Sequence, residues 1–307
     1  MRRFSDIPIP SDARGASVAI GNFDGVHLGH RAILDVARQA SSQPLGVLTF
    51  EPHPREVFRP NAAPFRLMNA EAKANRLEKV GVDFLFELSF NDALSGLSPE
   101  AFAREVLADG LGVSHVTVGT DFRFGKDREG DGLKLQELGL ALGFDVTLAE
   151  LVETGGVDVS STRIREALSD GRPRDAAQML GHLHRIDGPV IKGDQRGREL
   201  GYPTANMALD GLLVPKMGVY AVEVDVLAGP LKGTYPGVAS IGVRPMFGEN
   251  VPNLETFIFD FSGDLYGTHV SVGLVEYLRP EEKFDSLDAL IAQMDQDSAQ
   301  AREILGA

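Results

Sequence analysis

The sequence predicts two architectures in tandem: an α/β unit built on a parallel sheet, then a compact antiparallel β structure closed by a C-terminal helix. Three observations predict this. From Ser17 to Leu151, apolar runs alternate with amphipathic stretches of helical spacing, the pattern of strand–helix–strand repeats. From Val219 to Leu278 the runs become short, β-branched and aromatic, with glycine turns between them, which reads as a sandwich or small barrel. Beyond Lys283 the helical period returns. A length of 307 residues suggests about two domains. The helix-breaking Asp170–Pro173 and the stop at Gly181 place the boundary near 181, giving 1–181 and 182–307.

Each element has its own signal. Ser17–Ile20 is a strand, and the helix after it, about Gly29–Ala40, sets Ile33, Val36, Ala37 and Ala40 on one face. Leu45–Phe50 is a buried strand ended by Glu51-Pro52-His53-Pro54, where proline stops both ladder and helix. A helix over Asn69–Val80 leads into the strand Val82–Leu88. Ser98 is placed to cap a helix that has Pro99 at its first position. His115–Gly119 and Asp145–Leu151 are further strands flanking a helix over Leu133–Leu142. In the second half, Val219–Leu227, Gly237–Val243, Leu254–Phe261 and His269–Leu278 are strands. In the closing helix, Asp285 or Ser286 is the cap and Leu287, Leu290, Ile291 and Met294 form the apolar face.

Composition narrows the function classes. The chain has no cysteine, which excludes disulfides and thiolate metal sites. Its net charge of −14 argues against a nucleic-acid partner, which needs a basic footprint. A chain this acidic that handles phosphates must gather cations locally or recruit a divalent metal. No stretch reaches the roughly 18 apolar residues of a membrane span. The opening MRRFSDIPIPSDARG lacks the apolar core of a signal peptide, so a cytoplasmic protein without a membrane partner is expected.

The sharpest motif is Gly21–Leu34, GNFDGVHLGHRAIL, at a strand-to-helix turn. A helix start presents unpaired N–H groups and the positive end of the dipole, where phosphates sit well. Gly21 and Gly29 let the backbone approach a phosphate, with Phe23 and Asp24 between them. His27 and His30 can donate hydrogen bonds to phosphate oxygens as their charge grows. Ser160–Leu168 (SSTRIREAL) is a second phosphate candidate: Ser161 and Thr162 suit a helix start, and Arg163 offers bidentate contacts. Thr120–Gly130 interleaves Phe122 and Phe124 with Arg123, Lys126 and Arg128, suited either to a flat ring bearing phosphate or to an ordinary charged loop.

Three pieces stand out in the second half. Gly193, Gly197 and Gly201 recur around Arg196 and Arg198, as a loop folding over nucleotide phosphates would. In Pro203-Thr204-Ala205-Asn206, the Thr204 hydroxyl and the Asn206 amide oxygen are hard ligands for Mg²⁺, or else the segment is a polar β-turn. Glu255 lies among apolar residues, where a carboxylate serves either as a base toward a substrate hydroxyl or as an edge-strand residue facing water.

GNFDGVHLGH with SSTRIR resembles the adenylyltransferase half of the bacterial bifunctional riboflavin kinase/FAD synthetase family. GDQRGRELGYPTAN, GVY, ASIGVRP and ETFIFDFSGDLYG resemble its kinase half. The resemblance implies a Rossmann-like nucleotidyltransferase domain followed by an antiparallel β-barrel kinase domain with a C-terminal helix. By position it puts His27, His30, Ser161, Thr162 and Arg163 on ATP, and Phe50, Asp121 and Phe122 toward the flavin. It puts Thr204 and Asn206 on Mg²⁺-ATP, and Glu255 as base toward the ribityl 5′-hydroxyl. Riboflavin, FMN and ATP are the expected partners, with FMN and FAD as substrate and product rather than prosthetic groups, in a monomer or weak homo-oligomer. Met246 stands where the family usually has Thr, and Phe257 where it often has His. The rival readings are a chain with one activity, a flavin- or nucleotide-sensing regulator, and a cytidylyltransferase fused to a binding barrel.

Overall fold

The computed structural model describes all residues except 151–152, 155–156, 194–200 and 247–248; side chains at 153–154, 157–158, 244–246 and 249–250 are also outside the description. The chain forms two compact units, one of Met1–Ala63 with Ala70–Ser160, the other of Pro64–Asn69 with Ser161–Ala307.

The first unit is a six-stranded sheet of β1 (Arg2–Phe4), β2 (Ser17–Ile20), β3 (Leu45–Glu51), β4 (Phe84–Ser89), β5 (His115–Gly119) and β6 (Asp145–Ala149), in the order β1-β4-β3-β2-β5-β6. Every pairing is parallel. The chain leaves β2 through helix α1 (Leu28–Ala40) to β3 on one side, and later places β5 on the other. The carboxyl end of β2 is therefore the topological switch point, where sheets of this kind open a crevice. Helix α2 (Ala70–Lys79) precedes β4, and α3 (Gly132–Leu142) joins β5 to β6. Val18, Ile20, Leu48, Phe86, Val116 and Val118 from the strands pack with Phe102, Val106 and Leu107 in one buried core.

Some details differ from the expectations. On α1 the buried positions are Leu34 and Ala37, while Ala40 is exposed because it lies at the last turn. Ser98 does cap its helix, accepting from the Ala101 N–H at 3.2 Å, but Phe102–Leu111 continues as a π-helix ending on Gly112 at φ 56°.

In the second unit, α4 (Ser161–Ser169) and α5 (Pro173–Leu180) come first, and Gly181 ends α5 at φ 72°. A six-stranded antiparallel sheet follows: β7 (His184–Pro189), β8 (Thr204–Ala208), β9 (Gly218–Val226), β10 (Gly233–Met246), β11 (Glu249–Ile258) and β12 (His269–Arg279), ordered β7-β12-β9-β10-β11-β8. Its edges curl toward each other, and the Ile191 N–H donates to the Asn206 carbonyl at 2.8 Å. Inward residues such as Ile186, Tyr220, Val222, Ile241, Leu254 and Leu274 fill the barrel. Pro64–Asn69 belongs to this unit: Leu67 is fully buried beside Ile164 and Leu168, and the Leu213 N–H donates to the Arg66 carbonyl at 2.8 Å.

Helix α6 (Leu287–Leu305) closes the chain, capped by Ser286. Its packing face runs through Asp297, Ala301, Ile304 and Leu305, and Leu287 is exposed. The expected apolar face thus slides toward the C-terminus. The reason is a bidentate pair: Arg279 Nε and Nη2 grip the Asp297 carboxylate at 2.8 and 2.7 Å, anchoring that turn to β12.

Candidate active sites

The first site is the turn from β2 into α1. Three of its residues adopt left-handed backbone: Phe23 at φ 51°, Gly25 at 89° and Val26 at 42°. Only glycine does so freely, so the Phe23–Val26 turn is held against local preference. Phe23 and Val26 are fully buried, and Asp24 is 4% exposed. The Val26 N–H donates to the Phe23 carbonyl at 3.1 Å, which closes the turn.

His27 caps α1: its Nδ1 accepts the His30 N–H at 3.2 Å. A neutral His27 therefore carries its proton on Nε2. The two imidazoles stack with centroids 3.6 Å apart and planes at 16°. Phe23 also packs against His30 at 4.9 Å, its ring tilted by 39°. A Cβ on Gly29 would lie 3.1 Å from the His27 ring, and one on Gly21 would lie 3.3 Å from the Phe23 ring. Both glycines make room for the rings. Burial pushes the His30 pKa well below the ordinary imidazole value, and the nearby His27 and Lys73 charges add to this. His30 is thus neutral at physiological pH, and its buried Nδ1 has no hydrogen-bond partner among the described residues.

A buried cation lies beneath this site that the sequence reasoning missed. Lys73 on α2 is 2% exposed, and its Nζ donates to Glu51 Oε1 at 2.6 Å and Thr49 Oγ1 at 3.2 Å. The one signal was a lysine within the buried face Ala72–Leu77 of a helix.

Aromatic rings gather at the same carboxyl edge. Phe50, at the end of β3, meets Phe90 edge-on at 5.7 Å, and Phe90 meets Phe58 at 5.5 Å. Phe58, absent from the sequence-based candidates, is 68% exposed. Phe122 is half-buried and stacks on the buried Phe124 at 5.6 Å, so both phenylalanines of that loop turn toward the core while Asp121 stays exposed. Ser161, Thr162 and Arg163 form the first turn of α4, the last two exposed, in the second unit; the histidines are in the first.

The second site lies on the barrel. Asn206 on β8 pairs directly with Glu255 on β11, which pairs with Ser240 on β10. Directly opposed residues share a sheet face, and Thr204, two positions before Asn206, shares it too. The structure thereby brings Thr204, Asn206 and Glu255 together. The Asn206 amide nitrogen donates toward the Thr204 carbonyl and Oγ1 at 3.3 and 3.4 Å. The Asn253 amide donates to Glu255 Oε1 at 3.0 Å, orienting that carboxylate. A Cβ on Gly193 would lie 2.7 Å from the Asn206 amide, so any other residue there displaces that amide.

A cavity of about 480 Å³ adjoins this face, lined by Gly193, Thr204, Asn206, Thr256 and Asp264 among others. Thr256 Oγ1 is buried and has no hydrogen-bond partner among the described residues. Tyr202 packs against Phe257 at 4.8 Å with the ring planes tilted by 59°, and it hydrogen-bonds Asp295 of α6; burial and that carboxylate push its phenol up to about 12. Phe257 thus fills the position with a packing role. Gly201 sits at φ 83° with open space around it. Arg196, Gly197 and the Met246 side chain lie outside the description. Among the described residues no three His, Cys, Asp or Glu side chains cluster as a metal site.

Two family models match separate stretches of the chain. A family model described as FAD synthetase matches residues 9–163, and one described as riboflavin kinase matches residues 180–305. Bifunctional riboflavin kinase/FMN adenylyltransferases from Escherichia coli strain K12 and from Pseudomonas fluorescens are 42% and 44% identical over 295 residues, covering 95% of this chain and 93% of each relative. A crystal structure described as a macrolide-efflux protein from Streptococcus pneumoniae is similar at TM-score 0.83 and 31% identity, over 98% of both chains. Among the described residues of the present chain, no helix is long and apolar enough to cross a membrane.

Proposed function

Because this chain belongs to the family of bifunctional riboflavin kinase/FMN adenylyltransferases, we propose that it makes FAD from riboflavin in two ATP-dependent steps, one on each unit. The barrel transfers the γ-phosphoryl group of ATP to the riboflavin 5′-hydroxyl, giving FMN and ADP. The α/β unit transfers AMP from a second ATP to the FMN phosphate, giving FAD and pyrophosphate.

The two steps ask for different residues. In the first, a neutral alcohol attacks phosphorus and must lose its proton, and Glu255 accepts it. Mg²⁺ enters with ATP as part of the substrate. Thr204 Oγ1 and the Asn206 amide oxygen fit it: they are hard oxygen donors, and Mg²⁺ takes most of its ligands from water and phosphate. The close approach of Gly193 to Asn206 leaves room for one arrangement of that amide. Gly193 and Gly201 contact the phosphates.

In the second step a phosphate monoester attacks, already ionised, so no base is required. The site's work is alignment and charge stabilisation. Neutral His30 donates a hydrogen bond rather than charge, His27 donates from Nε2, and the start of α1 supplies the positive dipole end. Ser161, Thr162 and Arg163 are the further ATP-contacting residues that the family motif implies, at the start of α4. Phe50, Phe58 and Phe122 with Asp121 form the flavin wall.

The observation that carries this reading is the buried Nδ1 of His30, without a hydrogen-bond partner among the described residues, at a helix start on the switch point of the sheet. Mass analysis of products from riboflavin and Mg²⁺-ATP tests the pair of activities. His30→Ala abolishes FAD formation and leaves FMN formation intact; survival of both refutes the assignment. The chain is expected in the cytoplasm, as a monomer or weak homo-oligomer.

A further inference from the structure

The phosphate turn rests on a buried polar column that the two reactions do not explain. Lys73 Nζ donates to Thr49 Oγ1 at 3.2 Å, and the Thr49 hydroxyl donates in turn to the Asn22 carbonyl at 3.2 Å. Thr49 is fully buried and Lys73 is 2% exposed. Because Lys73 occupies a lone pair of the hydroxyl, the Thr49 proton is directed at Asn22. Asn22 precedes Phe23, the first residue of the left-handed turn and the ring that packs on His30. Glu51 balances the buried charge at 2.6 Å. A lysine with no role beyond packing is an expensive occupant of such a place.

We infer that Lys73 and Thr49 are positioning residues of adenylyl transfer, holding the Asn22 carbonyl so that Phe23, His27 and His30 keep their arrangement. Neither touches the reacting atoms. They fix the backbone from which the two imidazoles project, and the Lys73 charge contributes to keeping His30 neutral. This rests on reading the His27–His30 turn as the ATP phosphate site.

The test uses the full-length chain, in which urea unfolding checks that the α/β unit is folded and FMN formation reports that the barrel unit is intact. Thr49→Val removes the bridging hydroxyl and keeps the shape, and kcat for FAD formation from FMN falls about tenfold to a hundredfold, the cost of misplacing reacting groups by a fraction of an ångström to one ångström. KM for ATP changes little and FMN formation is unchanged. Thr49→Ser, which restores the hydroxyl, restores FAD formation. Lys73→Met with Glu51→Gln removes both charges, leaving no buried carboxylate unpaired, and shows the same selective loss. Wild-type FAD formation in Thr49→Val or in the Lys73/Glu51 pair overturns the inference, as does equal failure of Thr49→Ser or parallel loss of both activities. His30→Ala separates the two levels: if it leaves FAD formation intact, the site reading itself fails. If it abolishes FAD formation while the Thr49 and Lys73 variants do not, only the positioning role fails.

Discussion

Replacing Gly193 with alanine isolates the geometry of the barrel site. The added Cβ would stand 2.7 Å from Asn206 Cγ, Nδ2 and Oδ1. Ordinary contact begins near 3.5 Å, so the amide must withdraw by about 0.8 Å. Gly193 itself is not in the left-handed region, so alanine brings no backbone strain. The two hydrogen bonds from the amide to Thr204, at 3.3 and 3.4 Å, are already long, and losing them costs about 1 kcal/mol of stability. The chain still folds, since the group that moves is the tip of a side chain. The functional cost is larger, because the moving tip is the proposed ligand of Mg²⁺-ATP. A displacement approaching one ångström lowers FMN formation about tenfold to a hundredfold. Chromatographic separation of flavins after incubation with ATP reads this directly, using riboflavin for one activity and FMN for the other. FAD formation from FMN stays at the wild-type level. Unchanged FMN formation in Gly193→Ala would refute the placement of Asn206 in the reaction.

Three further outcomes follow from the packing. Asp297→Ala leaves Arg279 without the carboxylate it grips and lowers the stability of the barrel unit by about 3 kcal/mol, measured by urea unfolding. His184 is buried in β7, and burial, with a smaller contribution from His182, lowers its pKa to about 3. The unfolded chain then binds the extra proton first as pH falls, so folding stability is full above about pH 6.5 and declines from there toward about pH 3, by at most about 1.4 kcal/mol per pH unit. His184→Gln, compared by urea unfolding at both ends of that range, shows a shallower decline. Tyr202→Phe removes the hydroxyl bonded to Asp295 and keeps the ring on Phe257, costing about 1 kcal/mol by thermal unfolding with FMN formation retained.

Much of the fold was legible because its signals are local. Strand–turn–helix at Ser17–Ala40 is written in consecutive residues: apolar run, glycines, then a histidine cap with helical periodicity behind it. His115–Gly119 and Pro173–Gly181 were readable for the same reason. Positions that depend on partners were not. The short strand β1 has three residues, too few for a period, and it exists because β4 offers an edge. The face of α6 is set by Arg279, which no count of apolar spacings includes. Pro203–Asn206 was open to reading as a polar turn; Thr204–Ala208 is a strand because β11 pairs with it.

The candidate sites divide along the same line. Residue types alone marked the candidates for chemistry: two histidines at a helix start, an arginine at another, and a threonine, an asparagine and a glutamate in the barrel. Tertiary structure decided which of these meet. Asn206 faces Glu255 only through the register of β8 on β11. Lys73 reaches the phosphate turn through Thr49, 24 residues away, because α2 packs its buried face on the sheet. A local sequence fixes backbone conformation and chemistry. Contact between distant side chains depends on strand order and register, which emerge only when the hydrophobic faces of the whole chain are buried together.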